Sequence, residues 1–177
     1  MPAPLRLLPL LLAALTASAA QAQAGHAHVH GEAALEIVVE PRSVSLRLEI
    51  PQDSLLGHER APRTAAERQA AAAALQALQD GARLFTLSAA LKCQLGSAEV
   101  AAPQLQPGAA PAAGDHAEVE ARYRFDCART DGLRAIDLGG LLDAFPRIQR
   151  VGAQVAGSAG QHKAQLRRPA RSLAWGR

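Results

Sequence analysis

Aromatic residues are scarce in this chain: one Trp, one Tyr and three Phe among 177 residues. A core must therefore be filled by Ala, Leu, Val and Ile, and rings contribute to it at only a few points. Charge of one sign is also lacking, since 19 Lys and Arg face 16 Asp and Glu. The positive residues are nearly all arginine and lie scattered, so no basic patch marks a nucleic-acid partner. Cysteine is limited to Cys93 and Cys127, and no CxxC pair occurs. Beyond the first 24 residues no stretch approaches the ~18 apolar residues that a spanning helix needs. Catalytic signatures are missing too: there is no GxSxG, no HExxH and no Walker loop, and no general base can be named. These absences point away from an enzyme.

What is present begins with an export signal. Met1 to Arg6 is a short segment with one positive charge, and Leu7 to Leu15 is apolar apart from Pro9. The small-x-small sites Ala20-Gln21-Ala22 and Ala22-Gln23-Ala24 follow. That order of parts predicts a signal peptide over residues 1–24, a single domain over 25–177 and a periplasmic location. No cysteine lies near either site, so a lipid anchor is not expected. In an oxidising compartment the even pair Cys93 and Cys127 is expected to form a disulfide, worth about 3 to 4 kcal/mol in the chain-entropy model.

Ala34 to Glu40 and Ser43 to Ile50 alternate apolar and polar residues around Pro41-Arg42, which predicts a half-buried hairpin with Leu46, Leu48 and Ile50 on one face. Pro51 ends the second strand, and a loop from Gln52 to Arg63 leads to Thr64-Ala65-Ala66-Glu67, a capping-box pattern. A helix from about Ala65 to Gln79 follows, closed by Gly81, with Ala71, Ala74, Leu75 and Leu78 as its buried stripe. Leu84 to Leu95 reads as one or two short strands, the second carrying Cys93. The Ala/Pro/Gly segment from Ala101 to Gly114 reads as a mobile loop. From Ala117 to Cys127 the alternation is unbroken, which turns Cys127 toward the core side. A short helix near Leu138 to Phe145 and strands over Ile148 to Ala156 and Gln161 to Arg168 complete the pattern. The fold class is α+β: a single domain with a mainly antiparallel sheet, one long Ala-rich helix, one short helix and one disulfide.

Three of the six histidines fall at alternate positions near the predicted mature terminus, in Gly25-His26-Ala27-His28-Val29-His30-Gly31. In an extended chain, alternate residues share a face about 6.6 Å apart, close enough for neighbouring imidazoles to reach one metal ion. His58 and Glu59, before the long helix, and His116, beside Asp115, are further candidate ligands. His162 reads as structural. Imidazole donors suit Zn2+, Cu2+ and Ni2+, and a cut before Ala24 would expose Ala24-Gly25-His26, a terminus able to wrap Cu2+ or Ni2+ in a plane.

These residues resemble the ZrgA-like family of periplasmic proteins associated with zinc uptake. The likeness is carried by Ala27-His28-Val29-His30-Gly31, by Leu55-Leu56-Gly57 with Glu59 and Ala61-Pro62, and by His116 leading to Tyr123-Arg124-Phe125 and Cys127. Phe145-Pro146 and the stretch from Gly160 to Trp175 extend it to the end of the chain. The resemblance implies a zinc-binding accessory protein that assists an ABC-type zinc importer without enzymatic activity. It also implies ligation by His28, His30 and His116 and a Cys93–Cys127 bridge. Two departures stand out. Ala101 to Gly114 replaces a His/Asp-rich stretch frequent in the family, and His58 and Arg60 stand where the family tends to have an aromatic and a histidine. The other readings are an envelope module that docks to a transporter without metal, and a copper- or nickel-binding periplasmic protein. Zinc is preferred through the resemblance, because imidazole alone binds copper more tightly.

Overall fold

A computed structural model of the chain describes residues 29–105 and 117–176. The signal segment, His26, His28, His116 and the larger part of the Ala/Pro/Gly segment lie outside the described residues.

The hairpin forms as its alternation predicts. Strand β1 (Glu32–Glu40) pairs antiparallel with β2 (Ser43–Pro51), Glu40 opposite Ser43, across Pro41-Arg42. Ala33, Leu35 and Ile37 of β1 and Val44, Leu46, Leu48 and Ile50 of β2 are buried on one face. A one-residue slip would turn every one of these side chains to the other face, so burial itself sets the register. The remaining long strands are β3 (Gln94–Ala101), β4 (Glu118–Asp126), β6 (Arg150–Gly157) and β7 (Gly160–Arg167). Together they make a six-stranded sheet in the order β3-β4-β2-β1-β6-β7. Among the described residues only the β1–β6 pair is parallel. A two-stranded sheet joins β5 (Ala135–Asp137) to β8 (Ser172–Ala174).

The face that carries Leu46 and Tyr123 is covered by helical turns, and all of them contribute to one core cluster. The longest, α2 (Ala65–Gln79), starts with the expected capping box: the Glu67 amide donates to Thr64 Oγ1 at 3.1 Å, and the Thr64 amide to Glu67 Oε2 at 3.2 Å. Two orphan donors of the first turn are thereby satisfied. Ala71, Ala74 and Leu78 are buried, Leu75 half-buried. Short turns α1 (Gln52–Leu56), α3 (Gly81–Leu84) and α4 (Gly139–Ala144) fill the rest. At the α2–α3 junction the chain passes so close to β4 that a side chain on Gly81 would overlap the Tyr123 ring. Tyr123 Oη donates to the Leu78 carbonyl at 2.8 Å, and its ring packs on Phe85 at 5.1 Å. Burial pushes its phenol pKa up.

The opposite sheet face carries a lattice of ion pairs. Arg47 reaches Glu36, Glu49 and Glu120, Arg122 reaches Glu120 at 2.7 Å, and Arg150 reaches Glu32 at 2.8 Å. Among the described residues no helix is long and apolar enough to cross a membrane.

Cys93 and Cys127 are bridged, 34 residues apart, across the end of the β3–β4 ladder. Other expectations need correction. Leu84 to Leu95 holds no strand of its own apart from the first two residues of β3: a single bridge pairs Thr86 with Asp137, Ala89–Leu91 forms a 3-10 turn, and Lys92 at φ 52° turns the chain into β3. Residues 101–105 are not loop, since Ala101 ends β3 and Pro103–Leu105 forms a 3-10 turn with Leu105 buried. The segment 52–63 opens with α1, and Gly81 starts α3 instead of ending a helix, with Asp80 as its cap. Burial of Leu84, Phe85 and Leu91 in the first segment and of Ala102 and Leu105 in the second overrides a weak local pattern.

Candidate functional site

The site is built where β1 begins. Gly31 has φ +76°, a conformation that favours glycine, and its amide donates to Ser54 Oγ on α1 at 2.9 Å. Its carbonyl accepts from the Gln149 and Arg150 amides at 2.8 and 3.0 Å. The strand entry is thus tied both to α1 and to the start of β6, which fixes the position of the preceding residue, His30. After α1, Gly57 at φ +79° reverses the chain as a left-handed helix cap, and the loop His58-Glu59-Arg60 returns toward His30.

His30 consequently lies between two carboxylates. Its Nε2 is 3.0 Å from Glu59 Oε1, and its Nδ1 is 3.7 Å from Asp53 Oδ2. The imidazole is 61% exposed, whereas the Asp53 and Glu59 side chains are only 25% and 20% exposed. An accessible nitrogen is therefore backed by sheltered oxygens.

The donor chemistry suits a borderline metal ion: one imidazole nitrogen and one carboxylate oxygen, with no thiolate. Two donors on one tetrahedral zinc, each about 2 Å from it, sit roughly 3.3 Å apart. The His30–Glu59 separation is close to that. Asp53 faces the other ring nitrogen, the place of a carboxylate that orients a ligating histidine. For this reason the three groups do not converge on one point, and among the described residues no set of three or more His, Cys, Asp or Glu is arranged to hold a metal ion. His30 and Glu59 bring one nitrogen and one oxygen donor to hydrogen-bonding distance.

His58 does not join them. Its Nδ1 is 3.0 Å from the Arg60 carbonyl, which fixes the ring against its own loop. Arg60, where the resemblance leads one to expect a histidine, spans to Glu67 with bonds of 2.9 and 2.6 Å and so braces the start of α2. That guanidinium, with the Arg63 and Thr64 amides, holds the Glu67 carboxyl well below the usual carboxylate range. His162 is a half-buried residue of β7, beside Gly176.

His26, His28 and His116 lie outside the described residues, and their described neighbours lead to this same region. Val29 accepts a bond from the Glu32 amide at the start of β1, and the Ala117 carbonyl accepts one from the Gln52 amide at 2.8 Å, immediately before Asp53. Sequence reasoning missed Asp53. The available signal was its position just after Pro51-Gln52, where a proline followed by an acidic residue opens a helical turn.

No curated protein matches the chain. The sequence model for the ZrgA family zinc uptake protein matches residues 27–175, from the histidine run through both cysteines to Trp175. A family defined by zinc uptake agrees with a nitrogen–oxygen donor pair placed at the chain's entry to its sheet. This chain belongs to the ZrgA family of zinc uptake proteins.

Proposed function

We propose that this protein is a periplasmic zinc-binding accessory to zinc uptake, without catalytic activity, that holds a zinc ion and passes it toward an ABC-type importer. The observation that carries this reading is the His30 imidazole set against Glu59, with Asp53 behind it. His30 and Glu59 supply two donors, and His28, two residues upstream, and His116, next to Ala117, are the residues proposed to complete the shell, with His26 as a further donor. Export through residues 1–24 would place the site where zinc enters the envelope. Bound zinc would neutralise the Glu59 charge and take the place of the hydrogen bond between Glu59 and His30.

The test is a zinc titration of untagged mature protein, in competition with a chromophoric chelator. One saturable site is expected, and a His26/His28/His30→Ala triple variant should lose it; unchanged affinity in that variant refutes the reading. The same titration with Cu2+ and Ni2+, together with elemental analysis of protein recovered from its native envelope, decides the metal. A second reading is an envelope module that docks to a transporter without metal. Capture of a membrane partner that is indifferent to chelator would support it.

A further inference from the structure

We infer that Gln52 is the positioning residue of this site, holding the backbone on both sides of Glu59 so that its carboxylate meets His30. The inference rests on the reading of His30 and Glu59 as zinc ligands and concerns what places them. Gln52 is fully buried, although it carries an amide. Its Nε2 donates to the His58 carbonyl at 3.1 Å and to the Arg60 carbonyl at 2.7 Å, using both of its protons on the two residues that flank Glu59. The Arg60 carbonyl also accepts from His58 Nδ1, so that end of the turn is gripped from two directions. From its backbone Gln52 donates to Ala117 at the head of β4, so the clamp is anchored to the sheet.

The other half of the amide argues that the residue serves more than packing. Among the described residues Gln52 Oε1 is buried without a hydrogen-bond partner. An orphaned amide oxygen weakens a fold, and an apolar side chain of the same length would fill the space without it. What only the amide supplies is a pair of donors that span Glu59. Among the described residues Arg60 on Glu67 also holds this loop, from the side of α2.

The experiment is Gln52→Met, which keeps length and removes both donors and the orphaned oxygen. Imidazole nitrogen spectra of metal-free protein read the His30–Glu59 contact, and Glu59→Gln provides the reference for its loss. The His30 Nε2 resonance of Q52M should move to its E59Q position, and zinc affinity should fall about 10- to 100-fold, the usual effect of losing a group that orients a ligand. The thermal midpoint should hold or rise. A folded Q52M with a parental His30 resonance overturns the inference, as does a lowered midpoint with that resonance unmoved. Should Q52M fail to fold, Gln52→Asn retains the amide one methylene short: a shift of the His30 resonance toward E59Q supports the inference, and a parental resonance overturns it. If the parent protein binds no zinc, the functional reading fails alone, because the His30 resonance of the metal-free protein still decides what Gln52 does.

Discussion

The arrangement around His30 predicts a rank order of zinc affinities, which is harder to satisfy by accident than a single loss. Glu59 Oε1 faces Nε2 at 3.0 Å, Asp53 Oδ2 faces Nδ1 at 3.7 Å, and His58 Nδ1 is engaged with a carbonyl. Glu59 would therefore touch the metal, Asp53 would orient the ligand, and His58 would do neither. Asp53→Asn should weaken zinc binding about 10- to 100-fold, or roughly 1.4 to 2.7 kcal/mol, because the ring loses its orienting charge but keeps a polar neighbour. Glu59→Gln should cost more than this, since a charged ligand is replaced by a neutral amide. His58→Gln should stay within about threefold of the parent. Competition titration against a calibrated chelator at fixed pH and ionic strength measures all three. An order with His58 first, or Asp53→Asn matching Glu59→Gln, would refute the assignment of the two ring nitrogens.

Further expectations concern the scaffold. Reduction of the Cys93–Cys127 bridge, or the double Ala variant, should remove about 3 to 4 kcal/mol by freeing a 34-residue loop, which calorimetry should register as a drop of about 10 °C in Tm. The Glu67 carboxyl is held below its ordinary value of 4.5, so its contribution is complete above about pH 5 and is lost as pH falls through the acid range. Hydrogen-exchange protection in the first turn of α2, taken relative to the intrinsic amide rate at each pH, should fall on acidification in the parent and stay level in Glu67→Gln. Gly81→Ala should destabilise by about 1 to 3 kcal/mol although alanine is the better helix former, because the added methyl meets the Tyr123 ring; chemical denaturation with an unchanged m-value checks this.

Much of the scaffold was legible because single residues or strict periods carried it. The alternation through Leu46, Leu48 and Ile50, and again from Ala117 to Cys127, admits only a half-buried strand. Thr64 and Glu67 announce α2 by their chemistry. Turn α1 was not legible, because five residues are too few for a 3.6-residue period and its buried members, Gln52 and Ser54, are polar. Nor was the parallel β1–β6 pairing, in which Glu32 lies beside Arg150, since nothing local in either strand names a partner so far along the chain. The site divides in the same way. His30 and Glu59 stand out as residue types, but their meeting depends on the backbone reversals at Gly31 and Gly57 and on the Gly31–Ser54 bond, which belong to the assembled fold. Asp53 and Gln52 were overlooked because an acid and an amide beside a proline read as a loop.

The central place of β1 has a consequence for when the site comes into being. As the chain emerges, β1 can pair at once with β2, but its other neighbour, β6, runs from Arg150 to Gly157 and arrives late. The Gly31 carbonyl waits for the Gln149 and Arg150 amides, so the strand entry that aims His30 is finished only after most of the domain has been made. A nascent or truncated chain that ends before Gln149 would carry the histidine run without its setting. During synthesis, ordered contact between His30 and Glu59 would thus wait for Gln149 and Arg150, and its imidazole signal can serve as a marker of completed assembly in a truncation series.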